Sequence, residues 1–388
     1  MDAKAGAQEK FKTIERQLLS LSHRIHANPE LGFEEEKACM WLADALDAAE
    51  FRVQRGACGL DTAFIATSGS GPLHIGICAE YDSLPEIGHA CGHNMIAAMA
   101  VGAGIAAAKV ADEAGLTISV FGTPAEEVGN AGGKIVMLEG HAFDGVHAAM
   151  MVHPTPMELL EPHIIAASMF EVHYTGKEAH AAAFPDQGIN AADALTVAQV
   201  SIGLLRQHIR QTDRVHGITT HGGDAPNVVP AQTAARYIVR AENLEELKDM
   251  REKVYRCFEA GAIATGAKLA IRGGDKPYAD MEHDHEISTL YRRNAEELGR
   301  KFPDLGAIAQ RITASTDMGN VSHAIPSIHP GIGINSLPAS NHQPEFTAHC
   351  IGDEADRAVL DGALSMAWTA IDIAQTPSLR ERLMRQGA

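Results

Sequence analysis

The sequence predicts an α/β fold built on a mostly parallel sheet and interrupted by an inserted ferredoxin-like α+β domain. Three observations carry that expectation. Residues 1–166 alternate helix-like and strand-like patterns, and polar clusters fall at the ends of the apolar strands. Residues 167–277 change to a β-α-β-β-α-β order, which is a self-contained unit. Residues 278–388 return to long helical periodicity, and 388 residues at ~150 per domain leave room for two or three domains. The expected division is therefore 1–166 with 278–388 as one domain and 167–277 as the insertion.

Taken in order, residues 11–49 carry apolar side chains at helical spacing, broken by the turn NPELG at 28–32, and predict two helices. Short strands follow at 64–66 and 73–78 around SGSGP, the second running straight into AEYDSLPEIGHACGHN. Residues 95–109 form a small-residue helix, 116–122 a buried strand ending in TPAEE, and 148–152 a strand ending in His153 and Pro154. In open α/β sheets the ligand crevice lies beyond the carboxyl ends of the strands, where these three polar clusters fall. The insertion reads as strand 168–174, helix 189–207, strands 215–220 and 234–241, helix 244–263 and strand 268–271. Helices over 286–301 and 355–374 complete the chain.

Composition narrows the function. Hydrophobic residues are 45% and charged residues 21%, with 36 Gly and 17 Pro scattered, so the chain is globular rather than disordered or repetitive. A formal net charge of -18 with no basic stripe argues against nucleic acid. The charged N-terminus lacks a signal-peptide core, and the apolar stretch 97–108 is too short to span a bilayer, so no membrane association and a cytoplasmic location are expected. Cys39, Cys58, Cys78, Cys91, Cys257 and Cys350 are widely separated, as reduced thiols would be. Twenty histidines in an acidic chain make metal chemistry the first hypothesis.

Singly, Cys91 or His93 of GHACGHN reads as an ordinary core residue rather than a ligand, and context reverses that order. Glu126 and Glu127, adjacent at the end of an apolar strand, are costly there unless a cation neutralises them. His153 ends another strand, and His342 sits in a loop that can return to the same crevice. Cys91, His93, Glu127, His153 and His342 together are enough for two divalent ions sharing one ligand, leaving Glu126 as a base.

AEYDSLPEIGHACGHN, PAEE, MVHP, GKEAHAAAFPDQGINAADA, NVVP and STDMGNVS occur in the order found in the M20 metallopeptidases. Over nearly its whole length the chain resembles the amidohydrolase branch of that family, subfamily D. That branch includes N-acyl and auxin-conjugate amino acid hydrolases, and the EYD…GHACGHN form is most similar to p-aminobenzoyl-glutamate hydrolase subunits and β-alanyl-lysine-type dipeptidases. The resemblance implies a metal-binding catalytic domain and a lid or dimerisation domain, with two divalent ions, zinc or manganese, per subunit. Cys91 resembles the bridging ligand, His93 and His153 the ligands of one metal, Glu127 and His342 those of the other, and Glu126 the general base. Asp82 resembles the aspartate that orients a ligand, and His89 belongs to the motif as a supporting residue. His180 resembles the lid histidine that reaches a neighbouring subunit's site, and Asn227 and Arg240 match positions that bind a substrate carboxylate. Asn94 stands where many members have Asp, and Ser315, Thr316 and Asp317 where many have SED. The remaining histidines, His74, His283 and His329 among them, are expected to be structural or at the surface.

The implied reaction is hydrolysis of the amide bond of an N-acyl or N-aroyl amino acid or a dipeptide, a small-molecule substrate. The metals make a nucleophilic water available near neutral pH, and Glu126 takes its proton and passes it to the leaving amine. A homodimer is expected, and a related partner subunit is the other arrangement the resemblance allows. Two competing readings share the same residues: a metal-dependent deaminase releasing ammonia, and a non-catalytic binding subunit.

Overall fold

The computed structural model describes residues 2–306 and 312–386. The chain divides into two units, one made of the residues up to Val128, Gly132–His163 and the segment from Met281 on, the other of Gly129–Ala131 and Ile164–Asp280.

In the first unit, strands β1 (Arg52–Arg55), β2 (Phe64–Gly69), β3 (Leu73–Ala79), β4 (Leu116–Gly122) and β5 (Ala148–Met150) form one sheet in the order β1-β2-β4-β3-β5, extended by Ser327–Ile328 beside β5. β4, β3, β5 and Ser327–Ile328 are parallel, while β2 runs antiparallel to β4 and β1 antiparallel to β2. Ile75, Ile77, Cys78 and Ala79 of β3 are fully buried, as expected of a parallel strand covered on both faces. Because β3 lies between β4 and β5, the carboxyl ends of three parallel strands are neighbours. The segments that follow them, with Asp82, Glu126 and His153, leave the sheet along one edge.

The two helices expected over 11–49 on either side of NPELG form as α2 (Glu15–His26) and α3 (Glu36–Asp47), and an additional helix, α1 (Ala3–Lys12), precedes them. Asp2 caps α1 by accepting from Lys4 N, and Ala7 and Phe11 are buried. The run AKAGAQ holds too few large apolar side chains for spacing to reveal a face. The strand expected over 148–152 stops at Met150, and the chain pairs again only at His153–Thr155, alongside Gly331–Gly333. The helix expected to reach residue 301 ends at Glu297, ahead of Gly299 with φ 93°. Helices Gly133–Glu139, Met318–Ser322, Pro344–His349 and Pro377–Gln386 have no periodicity long enough to announce them.

Helix α4 (His93–Ala108) is buried along almost its whole length, between β3 and β4 on one side and α1, α2 and the helix Asp353–Gln375 on the other. Its Ala/Gly composition permits that approach. A Cβ at Gly102 would lie 2.6 Å from Leu18 Cδ1, and one at Gly104 would lie 2.5 Å from Val120 Cγ2. Among the described residues no helix is long and apolar enough to cross a membrane.

The second unit follows the expected order: Ala166–Thr175, helix Ala191–Leu205, Arg214–His221, Gln232–Ala241, helix Leu244–Thr265 and Lys268–Gly273. Its four strands are antiparallel, with Ala166–Thr175 and Gln232–Ala241 in the centre and Lys268–Gly273 and Arg214–His221 at the edges. Phe170, Val172 and Tyr174 face its core together with Tyr237, Val254 and Phe258. Gly129–Ala131 join this unit through Asn130, whose Oδ1 accepts from Gly274 N at 3.1 Å and Lys276 N at 3.2 Å.

Replacing Gly104 by leucine should force α4 away from β4 and lower unfolding free energy by about 1–3 kcal/mol. Chemical denaturation checks this, and a variant as stable as the parent would mean that the helix and sheet do not approach as described.

Candidate metal centre

Cys91 ends the loop after β3 and is followed by Gly92, whose φ of 80° suits glycine. A Cβ there would lie 2.4 Å from Pro154 Cγ, so glycine also lets the chain pass beside the His153 segment. His93 is then the first residue of α4. Its Nδ1 is 2.8 Å from Asp82 Oδ1, both groups fully buried, which fixes Nε2 as the nitrogen turned to the crevice. Asp82 Oδ2 accepts from Glu127 N at 2.9 Å, so one carboxylate ties the β3 loop to the β4 loop. Beneath that second loop, Ala125 has φ 59°, and the buried Glu35 Oε1 accepts its N–H at 2.7 Å. His153 Nδ1 donates to Pro154 O at 2.9 Å, leaving Nε2 to face Cys91 Sγ at 3.4 Å.

The five residues singled out as ligands lie in two overlapping groups. Cys91, His93 and His153 form one, and Cys91, Glu127 and His342 the other, each with candidate ligand atoms within 4.8 Å of one another. Cys91 belongs to both. His342 Nε2 is 3.2 Å from Glu127 Oε1, and His342 N donates to Ala90 O at 2.8 Å, which returns the distant C-terminal loop to the site. Glu126 Oε2 and Glu127 Oε1 are each 3.9 Å from His93 Nε2.

Charge explains what holds this cluster. Burial alone would push the Cys91 thiol up, but the neighbouring His153 and His93 charges and hydrogen bonds from His153 and His342 hold it well below the usual thiol range. Burial works against a charged His93, yet Asp82 and Cys91 raise it. Burial and the charges of Glu80 and Glu127 push Glu126 well above the carboxylate range. Glu127 is pushed up to about 7 by burial and by Cys91. His93 Nε2 is buried without a hydrogen-bond partner among the described residues. A thiolate shared between imidazole and carboxylate groups, with an unsatisfied imidazole nitrogen, fits a divalent cation.

Sequence reasoning missed several neighbours. Glu80 and Lys134 are fully buried and, with Asp317, form an ion cluster beneath His93. A lysine entering an apolar helix directly after two glycines, in GGKIVM, was the available signal. Asn341 Nδ2 donates to Pro154 O at 3.1 Å and approaches Cys91 Sγ at 3.9 Å. His329 packs against His153 with ring centroids 5.5 Å apart, and burial and the His153 charge push it down to about 3, so it stays neutral. His89 is buried and stacks on His26.

His180, Asn227 and Arg240 belong to the second unit. His180 Nδ1 accepts from Ala182 N at 3.2 Å and Ala183 N at 3.1 Å, which places the ring proton on Nε2. Asn227 is exposed, and its carbonyl accepts from Ala181 N at 3.0 Å. Arg240 Nε donates to His216 Nε2 at 3.4 Å.

The sequence matches Peptidase family M20/M25/M40 over residues 77–356. It is 36% identical to Xaa-Arg dipeptidase of Mus musculus, across 99% of this chain and 91% of that protein. It is 33% identical to a p-aminobenzoyl-glutamate hydrolase subunit of Escherichia coli (strain K12), across 65% of this chain and 56% of that protein. Among solved structures, a dinuclear metal binding peptidase from the M20 family of Bacillus subtilis superposes with a TM-score of 0.69 at 22% identity, covering 94% of this chain and 99% of that one.

Divalent-ion binding should release protons and tighten as pH rises. Glu127, near 7, and His342, raised to about 11 by hydrogen bonds to Cys91 and Glu127, hold protons that a cation must displace. Raising the pH removes that competition, so affinity at about pH 8 should exceed that at about pH 6. Zinc titration in weakly buffered indicator dye reads both effects, and uptake without acidification would contradict this charge arrangement.

Proposed function

The chain belongs to the M20/M25/M40 peptidase family of hydrolases, and from that premise we propose that it is a dinuclear metal-dependent amidohydrolase releasing the C-terminal amino acid of dipeptides or N-acyl amino acids. The observation that carries this reading is the sharing of Cys91 between two groups of potential ligands. His93 and His153 would complete one metal position, and Glu127 and His342 the other. When bound, the ions supply an activated water and polarise the scissile carbonyl. Glu126, raised by burial and by the charges of Glu80 and Glu127 while the site holds no cation, would be returned to the carboxylate form by bound cations and would then take the proton of that water and pass it to the leaving amine. Asp82 keeps His93 Nε2 directed at the site by holding Nδ1.

The domain taken as 167–277 is the proposed lid. His180, with its proton on Nε2, is suited to donate a hydrogen bond to the oxyanion that develops during attack. Asn227 and Arg240 would receive the substrate carboxylate, for which a guanidinium fork is well matched. Similarity across almost the whole chain to an Xaa-Arg dipeptidase, against about two thirds for the aroyl-glutamate hydrolase relative, favours dipeptides ending in a basic residue. The exposed edge strand Arg214–His221, with Ile218, and the exposed Val200 and Leu204 on the adjoining helix support a homodimer formed through this domain.

Metal-reconstituted protein should hydrolyse Xaa-Arg dipeptides faster than aroyl-glutamates, with the amino acid rather than ammonia as product. Glu126→Gln should keep its metal and lose ~10²–10⁴ in kcat, whereas Glu127→Gln should lose metal content as well. Elemental analysis beside steady-state kinetics separates the two, and full activity in both variants would end this mechanism. Inactive His180→Ala and Glu126→Gln subunits, allowed to exchange, should recover activity if His180 serves the neighbouring subunit. Heterodimers without recovered activity would return His180 to its own chain.

A further inference from the structure

Glu80 stands directly before Tyr81 and Asp82 at the end of β3, and its carboxyl group is fully buried. Its Oε1 accepts from Lys134 Nζ at 2.5 Å. The same ammonium donates to Asp317 Oδ1 at 2.6 Å, and Lys134 N donates to Asp317 Oδ2 at 3.0 Å. One lysine thus faces two carboxylates in a place from which water is excluded, and a negative charge is left over. That surplus is not turned towards the lysine. Glu80 Oε2 has no hydrogen-bond partner among the described residues and lies 3.5 Å from His93 Nε2, which has none either. Glu80, His93 and Glu126 offer ligand atoms within 4.8 Å of one another.

A network serving only to join β3 to the helix Gly133–Glu139 and the Asp317 turn would be better served by both carboxylate oxygens engaged, or by apolar packing of the same volume. The arrangement instead immobilises one oxygen of Glu80 and leaves the other aimed at the ligand nitrogen of His93. We propose that Glu80 is a further ligand of the metal centre, on the side formed by Cys91, His93 and His153, presenting Oε2 while Lys134 holds Oε1. Lys134 and Asp317 are then positioning residues: they restrict Glu80 to one donor atom and balance the charge that remains on its other side. This inference rests on the metal-binding reading above and adds a carboxylate that the five-residue set does not contain.

The test uses the full chain as wild type, as Glu80→Gln, and as the charge-free triple variant Glu80→Gln/Lys134→Met/Asp317→Asn. The triple variant leaves no buried ion of this network unpaired, so folding, read by circular dichroism, does not depend on it. Metal-free proteins are titrated with Zn²⁺ against a chelator of known affinity, giving the number of sites and the Kd of each. Wild type should hold two ions. Both variants should bind one of them at least about 100-fold more weakly and the other with little change, and the visible absorption of the Co²⁺-loaded form should shift in Glu80→Gln. If either variant folds and binds both ions with wild-type affinity and an unchanged Co²⁺ spectrum, Glu80 is only the counter-ion of Lys134, and the five-residue reading stands without it. Failure of wild type to bind any divalent ion would overturn the metal-binding reading itself and this inference with it.

Discussion

Glu80, Asp82, Cys91, Glu126 and Glu127 are gathered in one place with almost no access to solvent, and the rest of the first unit is arranged around the repulsion this creates. Like charges at such depth raise one another's proton affinity, as Glu126 and Glu127 show. The protein compensates with the imidazoles of His93, His153 and His342 and with the buried ammonium of Lys134. The remaining imbalance is what makes the cluster receptive to divalent ions. Protons and metal ions therefore compete for the same groups, and the same burial that makes the bare cluster costly strengthens its hold on a cation.

The scaffold meets this demand by concentrating rigidity next to the cluster. Three parallel strands end side by side, and the loops leaving them are pinned by polar contacts rather than left to find their own shape. Asp82 bonds both His93 and the backbone of Glu127, Glu35 holds Ala125, and Thr123 Oγ1 donates to Ala79 O at 3.0 Å across the ends of β3 and β4. Behind them α4 fills the space between sheet and helices with small side chains, so the helix that starts at His93 cannot shift without disturbing Leu18 or Val120. Stability and site geometry are thus coupled through one helix.

The thiolate at the centre has a specific consequence. Burial pushes Cys39 up to about 11 and Cys78 up to about 12, and neither has neighbours that offset it sufficiently. Cys91, by contrast, is surrounded by imidazoles whose charge outweighs its desolvation. One chain therefore carries inert thiols and an activated sulfur, and the difference lies in neighbours rather than in exposure, since Cys91 too is buried.

How much was legible beforehand follows from which interactions are local in sequence. The alternation of strand and helix, the β-α-β-β-α-β insertion and the polar clusters at strand ends are local patterns, and family motifs marked Cys91, His93, Glu126, Glu127, His153 and His342. Short elements such as α1 and Gly133–Glu139 stayed hidden because their burial comes from partners far along the chain, not from periodicity of their own. GGKIVM marks Lys134 as unusual, but its pairing with Glu80 stayed hidden for a related reason: 54 residues separate them, and neither spacing nor residue type reveals that they meet inside the core. The sequence by itself determined the class of fold and the chemical types able to bind a metal. Only tertiary structure decided which oxygen of Glu80 is held and which is left, and which nitrogen of His93 faces the crevice, because each is fixed by side chains that only folding brings into contact.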